Sequence, residues 1–130
     1  MSHHRETVTA LGAPAAVGPY SHAVRSNGLL FCSGQIPLDP ASGELVGDTP
    51  AEQVRRCLEN LQVVAAAGGT TLEDAVRVTV YLTDMAAFQE VNEAYADYFG
   101  AEPPARVAFG VAALPKGAQV EVDAVIALPD

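Results

Sequence analysis

Apolar and polar residues alternate along this chain with two different periods, and the switches between them mark out its elements. Val76, Val78, Val80 and Leu82 alternate with Arg77, Thr79 and Tyr81, the clearest strand signature in the sequence. Shorter strand patterns lie at 22–25 and 29–34, joined by Ser26-Asn27-Gly28, a strong hairpin signal. Val54, Leu58, Leu61 and Ala65 recur at helical spacing, with Arg55, Glu59 and Gln62 elsewhere on the wheel. Thr49-Pro50-Ala51-Glu52 reads as a capping box that starts this helix, and Gly68-Gly69 as its stop. A second helix is expected after Asp84, its cap, with Phe88, Val91, Tyr95 and Tyr98 or Phe99 on its apolar face and Gly100 at its end. Farther on, Pro104-Ala105-Arg106-Val107 and Val120-Glu121-Val122-Asp123-Ala124 read as two strands. The turn Leu114-Pro115-Lys116-Gly117 between them predicts a hairpin.

The expected order is therefore β-β-α-β-α-β-β. Helices inserted between strands require crossover connections, so this order predicts an α+β domain with one mixed sheet and both helices on one face. No repeat, low-complexity stretch or linker divides residues 1–130, which read as a single domain. The loop over 37–48 has room for a small excursion. Strand parity places Val107, Phe109 and Val111 toward the helices, together with Val120, Val122, Ala124 and Ile126. Arg106, Ala108 and Gly110 then share the other face with Glu121, Asp123 and Val125. That face is half apolar, which suggests oligomerisation through it.

Composition narrows the partners. The 130 residues are 49% hydrophobic and 18% charged, too apolar for disorder and enough for one sizeable core. The net charge of -9, from seven Lys plus Arg against sixteen Asp plus Glu, opposes nucleic acid and anionic lipid. Cys32 and Cys57 lie in apolar patterns without ligand-type spacing and read as buried free thiols. The start, Met1 to Glu6, lacks the apolar core of a signal peptide, and no run approaches the roughly 20 apolar residues of a membrane span. The chain reads as a soluble cytoplasmic protein.

Metal and covalent chemistry find little support. The histidines are His3, His4 and His22, the first two in an expected mobile tail. There is no Gly-x-Ser-x-Gly elbow, and neither Ser33-Gly34-Gln35 nor Gly68-Gly69-Thr70 resembles a phosphate-binding loop. Arg106 and Glu121 remain. They form either a surface ion pair of little energetic weight or a small-acid site. Pro103-Pro104 stiffens the approach to Arg106, and a guanidinium is well matched to gripping a carboxylate through two parallel hydrogen bonds. In a hairpin turning near Pro115 and Lys116, however, Glu121 falls opposite about Gly110, roughly 13 Å along the strand from Arg106. A small acid cannot span that distance. Either a bulge shifts the register or two subunits share each site.

These residues carry a resemblance that spans nearly the whole chain. Gly18-Pro19-Tyr20-Ser21-His22-Ala23, Ser33-Gly34-Gln35-Ile36-Pro37, Val91-Asn92-Glu93-Ala94-Tyr95, Pro104-Ala105-Arg106-Val107 and Leu114 to Val122 resemble the reactive intermediate deaminases, the YjgF-like proteins. The last block is specific to that family. The resemblance implies a chorismate-mutase-like fold and a homotrimer with sites at subunit interfaces. It also implies cofactor-free hydrolysis of 2-imino acids, released by dehydratases acting on serine or threonine, to 2-oxo acids and ammonia. Arg106 would hold the substrate carboxylate and Glu121 would activate water. Tyr20, Ser33, Gly34 and Asn92 match positions that shape the pocket or bind substrate, and Phe88 would wall it.

Plainer readings stand beside these. Tyr20 and Phe88 are equally packed aromatics, Gly34 a turn residue and Asn92 a helix hydrogen-bonder. Many members carry Cys where this chain has Ala108, and often Gln where it has His22. Two other functions compete: a non-catalytic binder of small carboxylates, and the endoribonuclease or translation-inhibitor role attached to some relatives, which the acidic balance disfavours.

Overall fold

The computed structural model describes residues 4–130, so His3 lies outside the described residues. Its sheet has six strands: β1 (Glu6–Val8), β2 (Ala23–Ser26), β3 (Leu29–Gln35), β4 (Ala75–Leu82), β5 (Ala105–Gly110) and β6 (Val120–Ala127), in spatial order β1-β2-β3-β6-β4-β5. The helices are α1 (Pro50–Gly68) and α2 (Phe88–Ala96). The β4–β5 pair is parallel and all other pairs are antiparallel, giving the mixed α+β sheet expected, with the short β1 added ahead of the expected order.

Local chemistry sets the boundaries. Both arms of the capping box are made at Thr49 and Glu52, and Gly69 closes α1 in the left-handed region with φ 91°. Asn27 and Gly28 both take positive φ, 51° and 78°, as a tight hairpin between β2 and β3 demands. Asp84 caps a short 3₁₀ turn, Met85–Ala87, rather than α2 itself, which ends at Ala96 before Gly100. The loop after β3 folds back through a Leu38–Leu45 bridge, and Ile36 and Leu38 pack there with Ala118.

The core lies between the sheet and the helices. Val54, Leu58, Leu61 and Val64 of α1 meet Val78, Val80, Val122, Ala124 and Ile126, all nearly inaccessible. Burying a side chain of this size stabilises the fold by roughly 1.5–3 kcal/mol. Cys32 and Cys57 are buried free thiols, and burial pushes Cys32 up to about 12. No helix among the described residues is long and apolar enough to cross a membrane.

Two expectations about the last strands are overturned. β5 and β6 do not form a hairpin, because β4 lies between them. The parity of β5 is also reversed. Val78 stands opposite both Arg106 and Ala124, and Tyr81 opposite both Phe109 and Glu121. Arg106 and Ala108 therefore point to the helix side, while Val107 and Phe109 stay 39% and 43% exposed on the uncovered face. That face also carries Phe31 beside Val125, so it is more apolar than strand parity alone suggests.

Candidate active site

Glu121 is placed by β6 on the uncovered face, half-buried, opposite Tyr81. Burial, and secondarily the nearby Asp123 carboxylate, raise its pKa above the ordinary carboxylate range. Asp123 accepts a 2.6 Å hydrogen bond from Tyr81 Oη, which pushes the Tyr81 hydroxyl up to about 12. Glu121 opens into a cleft of about 320 Å³ lined also by Tyr20, His22, Ser33, Gly34 and Gln35. Its remaining wall is apolar: Pro14, Ala15, Val17, Ile36, Leu38 and Pro115.

Gly34 is required here by close approach. It sits where the β3–β6 register shifts between Cys32 and Gln35, and a Cβ on it would overlap the Glu121 carboxylate. It lies inside strand β3 rather than in a turn, and its φ is not in the left-handed region. Ser33 Oγ donates to the Ser21 carbonyl at 2.6 Å, which commits the hydroxyl to joining β3 to the segment before β2. Tyr20, 44% exposed, accepts the Val17 amide on its hydroxyl oxygen and keeps its own proton free for the cleft.

Arg106 lies elsewhere. From the edge strand β5 it reaches up to α2, where Nη1 donates to Asn92 Oδ1 at 2.7 Å. Its guanidinium carbon stands 5.6 Å from the Phe88 ring centroid and 5.0 Å from that of Tyr95. Phe88 is thus a platform under the cation, and Tyr95 is a second one that the sequence offered only as core. A cleft of about 330 Å³ opens beside Arg106, with Asn92, Tyr95, Phe99, Pro103 and Pro104 in its lining.

The expected site residues thus fall into two separate groups. Tyr20, Ser33, Gly34 and Glu121 share one cleft, while Arg106, Asn92 and Phe88 gather around the other. The register separates Arg106 from Glu121 by roughly 10 Å along β4 and roughly 10 Å across two strand spacings, and the two lie on opposite faces. The pair is as far apart as the expected hairpin would make it, but the cause is the intervening β4. Sequence reasoning missed the apolar wall from Pro14 to Val17, whose side chains carry no reactive group, and the two backbone contacts of the His22 ring.

A family model described as Endoribonuclease L-PSP matches residues 10–128. The "RutC family protein y4sK" of Sinorhizobium fredii is 49% identical over 123 residues, covering 95% of this chain and 98% of that protein. The 2-iminobutanoate/2-iminopropanoate deaminase of Mus musculus is 44% identical over 121 residues, covering 93% of this chain and 90% of the mouse protein. The solved structure of E. coli TdcF with bound serine superposes with a TM-score of 0.88 at 35% identity, covering 95% of this chain and 99% of TdcF. With a match across nearly its whole length and the same sheet and helices, the chain belongs to the endoribonuclease L-PSP family, the YjgF/RidA group its sequence motifs resemble.

Proposed function

We propose that this protein hydrolyses 2-imino acids such as 2-iminobutanoate and 2-iminopropanoate to 2-oxo acids and ammonia, as a homotrimer in the cytoplasm. The observation that carries the reading is the division of the site. A half-buried carboxylate of raised basicity faces one cleft, and a guanidinium held by Asn92 between aromatic rings faces another. Neither half suffices for a small imino acid. A second copy seated on the uncovered apolar face brings an Arg106 cleft against a Glu121 cleft, and closed assemblies built this way repeat the composite site at every interface. The mouse relative's deaminase name and the serine in E. coli TdcF support a small amino-acid-like ligand.

In the composite site Arg106 binds the substrate carboxylate through two parallel hydrogen bonds and fixes the C=N carbon over the other cleft. Glu121 takes a proton from water as the water oxygen bonds to that carbon; the C=N electron pair moves to nitrogen, which takes a proton from solvent, giving a carbinolamine beside protonated Glu121. The protonated Glu121 then delivers its proton to nitrogen. The C–N bond breaks, ammonia leaves, and the hydroxyl proton is released as the ketone forms. A carboxylate of raised basicity suits this role better than an ordinary one, because it holds the transferred proton longer.

The test couples the protein to a threonine dehydratase in the presence of semicarbazide, which traps the released imine. Added protein is expected to lower the rate of semicarbazone formation in proportion to its concentration. An unchanged rate across that range rejects the deaminase reading.

A further inference from the structure

His22 lies just before β2, 8% exposed, and both of its ring nitrogens are engaged by backbone. Nδ1 is 2.9 Å from the Ala10 amide nitrogen, and Nε2 is 2.8 Å from the Pro14 carbonyl oxygen. An amide only donates and a carbonyl only accepts, so the two contacts together assign the neutral ring with its proton on Nε2. The ring thereby spans the turn closed by Ala13 N–H donating to the Ala10 carbonyl at 3.1 Å.

The segment beyond that turn shapes the site. Between β1 and β2 the chain has no regular secondary structure, yet Pro14, Ala15, Val17 and Tyr20 from this segment form a wall of the Glu121 cleft. Among the described residues Tyr20 hydrogen-bonds only within the segment, its amide donating to the Gly18 carbonyl and its hydroxyl oxygen accepting from the Val17 amide. The segment leaves the sheet at β1, and at its His22 end it is bonded to β3. The Ser33 amide donates to the His22 carbonyl at 3.0 Å and Ser33 Oγ to the Ser21 carbonyl, next to Gly34. His22 therefore joins the irregular wall to the strand against which Glu121 is packed.

We propose that His22 is a positioning residue, a neutral two-ended clasp that sets the spacing between the Tyr20 wall and the Glu121 carboxylate without touching the reacting atoms. The proposal rests on reading this cleft as the place where the small acid sits. Glutamine carries one acceptor and two donors on a single carboxamide, so it can serve both Ala10 and Pro14. Alanine serves neither, and it leaves a buried amide and a buried carbonyl unmatched.

Three measurements on the full chain decide it: the ¹⁵N spectrum of the His22 ring, hydrogen exchange at the Ala10 amide, and binding of 2-oxobutanoate followed by titration. The wild type is expected to show the Nε2-protonated tautomer. His22→Ala is expected to speed Ala10 exchange at least about tenfold and to weaken 2-oxobutanoate about tenfold, while His22→Gln restores both to within about twofold. In the coupled imine assay the Ala variant's loss falls on KM, with kcat within about twofold. An Nδ1-protonated ring, undiminished binding by His22→Ala, or a Gln variant as weak as the Ala variant overturns the proposal. The tautomer and the Gln variant decide it even where His22→Ala does not fold. Binding that obeys this pattern without any imine hydrolysis sustains the clasp and rejects the deaminase. A wild type that fails to bind 2-oxobutanoate rejects the clasp, while the deaminase reading stands or falls on the coupled assay alone.

Discussion

Gly34 and Glu121 occupy adjoining strands so closely that the absence of a side chain at one is a condition for the position of the other. A Cβ on Gly34 would overlap the carboxylate and come to 3.0 Å of Glu121 Cδ. The obstacle is the far end of a flexible side chain, so the carboxylate rather than the backbone gives way. Gly34→Ala is expected to keep its melting temperature within a few degrees while kcat/KM falls about a hundredfold, the order of loss that a displacement near 1 Å produces. Thermal melts alongside the coupled imine assay check this, and a variant of full activity would show that the carboxylate need not stand where it does.

Arg106 is an exposed edge-strand residue held by Asn92 and two rings, so its role can be removed without touching the core. Arg106→Ala is expected to raise KM and lower kcat/KM by roughly 30-fold to several thousandfold, the cost of truncating one partner of a desolvated charge pair. Arg106→Lys keeps the charge but loses the planar fork and its stacking, and it should recover only a minor part. Light scattering should find the same assembly in both variants. Dissociation to monomer would make Arg106 an assembly residue instead.

Glu121 ties activity and stability to pH in opposite senses. Its basicity is raised in the folded chain, by burial first and Asp123 second, so the native state keeps a proton that the unfolded chain has lost. Stability therefore falls as pH rises from the ordinary carboxylate range through the raised value, while kcat rises over the same window as the base ionises. Glu121→Gln is expected to lose about 10²- to 10⁴-fold in kcat. It should also melt higher than wild type at neutral pH, with the difference closing below the ordinary carboxylate range. Melts from acid to neutral pH decide this, since a Gln variant less stable at neutrality would mean that ionised Glu121 is well solvated or paired.

The proposed sharing of each site between two copies makes a quantitative demand on mixtures. Arg106→Ala and Glu121→Gln subunits, each strongly impaired alone, are expected to regain activity when unfolded and refolded together. Random assembly restores about one quarter of the sites, those in which the intact Arg and the intact Glu meet. Recovery is read in the coupled assay after equal mixing. No recovery despite mixed assemblies seen by native mass spectrometry would place both residues of each site in one chain.

Features whose cause is local are legible in the sequence. Thr49 and Glu52 cap the helix they announce, Asn27-Gly28 turns the hairpin, and every second residue of β6 faces the core. The facing of β5 is not legible, because alternation reveals that a strand has two faces but not which neighbour it pairs with. Val107 and Phe109 look like core residues in sequence, and only the parallel pairing with β4 turns them outward. β1, with only Glu6-Thr7-Val8, is too short to alternate visibly. At the site, Arg106, Glu121, Gly34 and Tyr20 are visible as motif residues, but their separation into two clefts depends on strand order. Tyr95 is legible as helix core and is also the ring beneath Arg106, a double use that periodicity cannot express.

The middle position of β6 has a consequence for how the protein is made. β3 and β4 each bond to β6 and not to each other, so before β6 emerges from the ribosome the sheet exists only as two unjoined halves. Each half then presents a bare, largely apolar edge, and the element that covers both also carries Glu121. Synthesis is therefore completed by a late, long-range closure with exposed strand edges, the circumstance in which nascent chains most need chaperones. The Glu121 carboxylate reaches its place in the same event that removes those edges, so a chain still lacking β6 lacks one half of the proposed site.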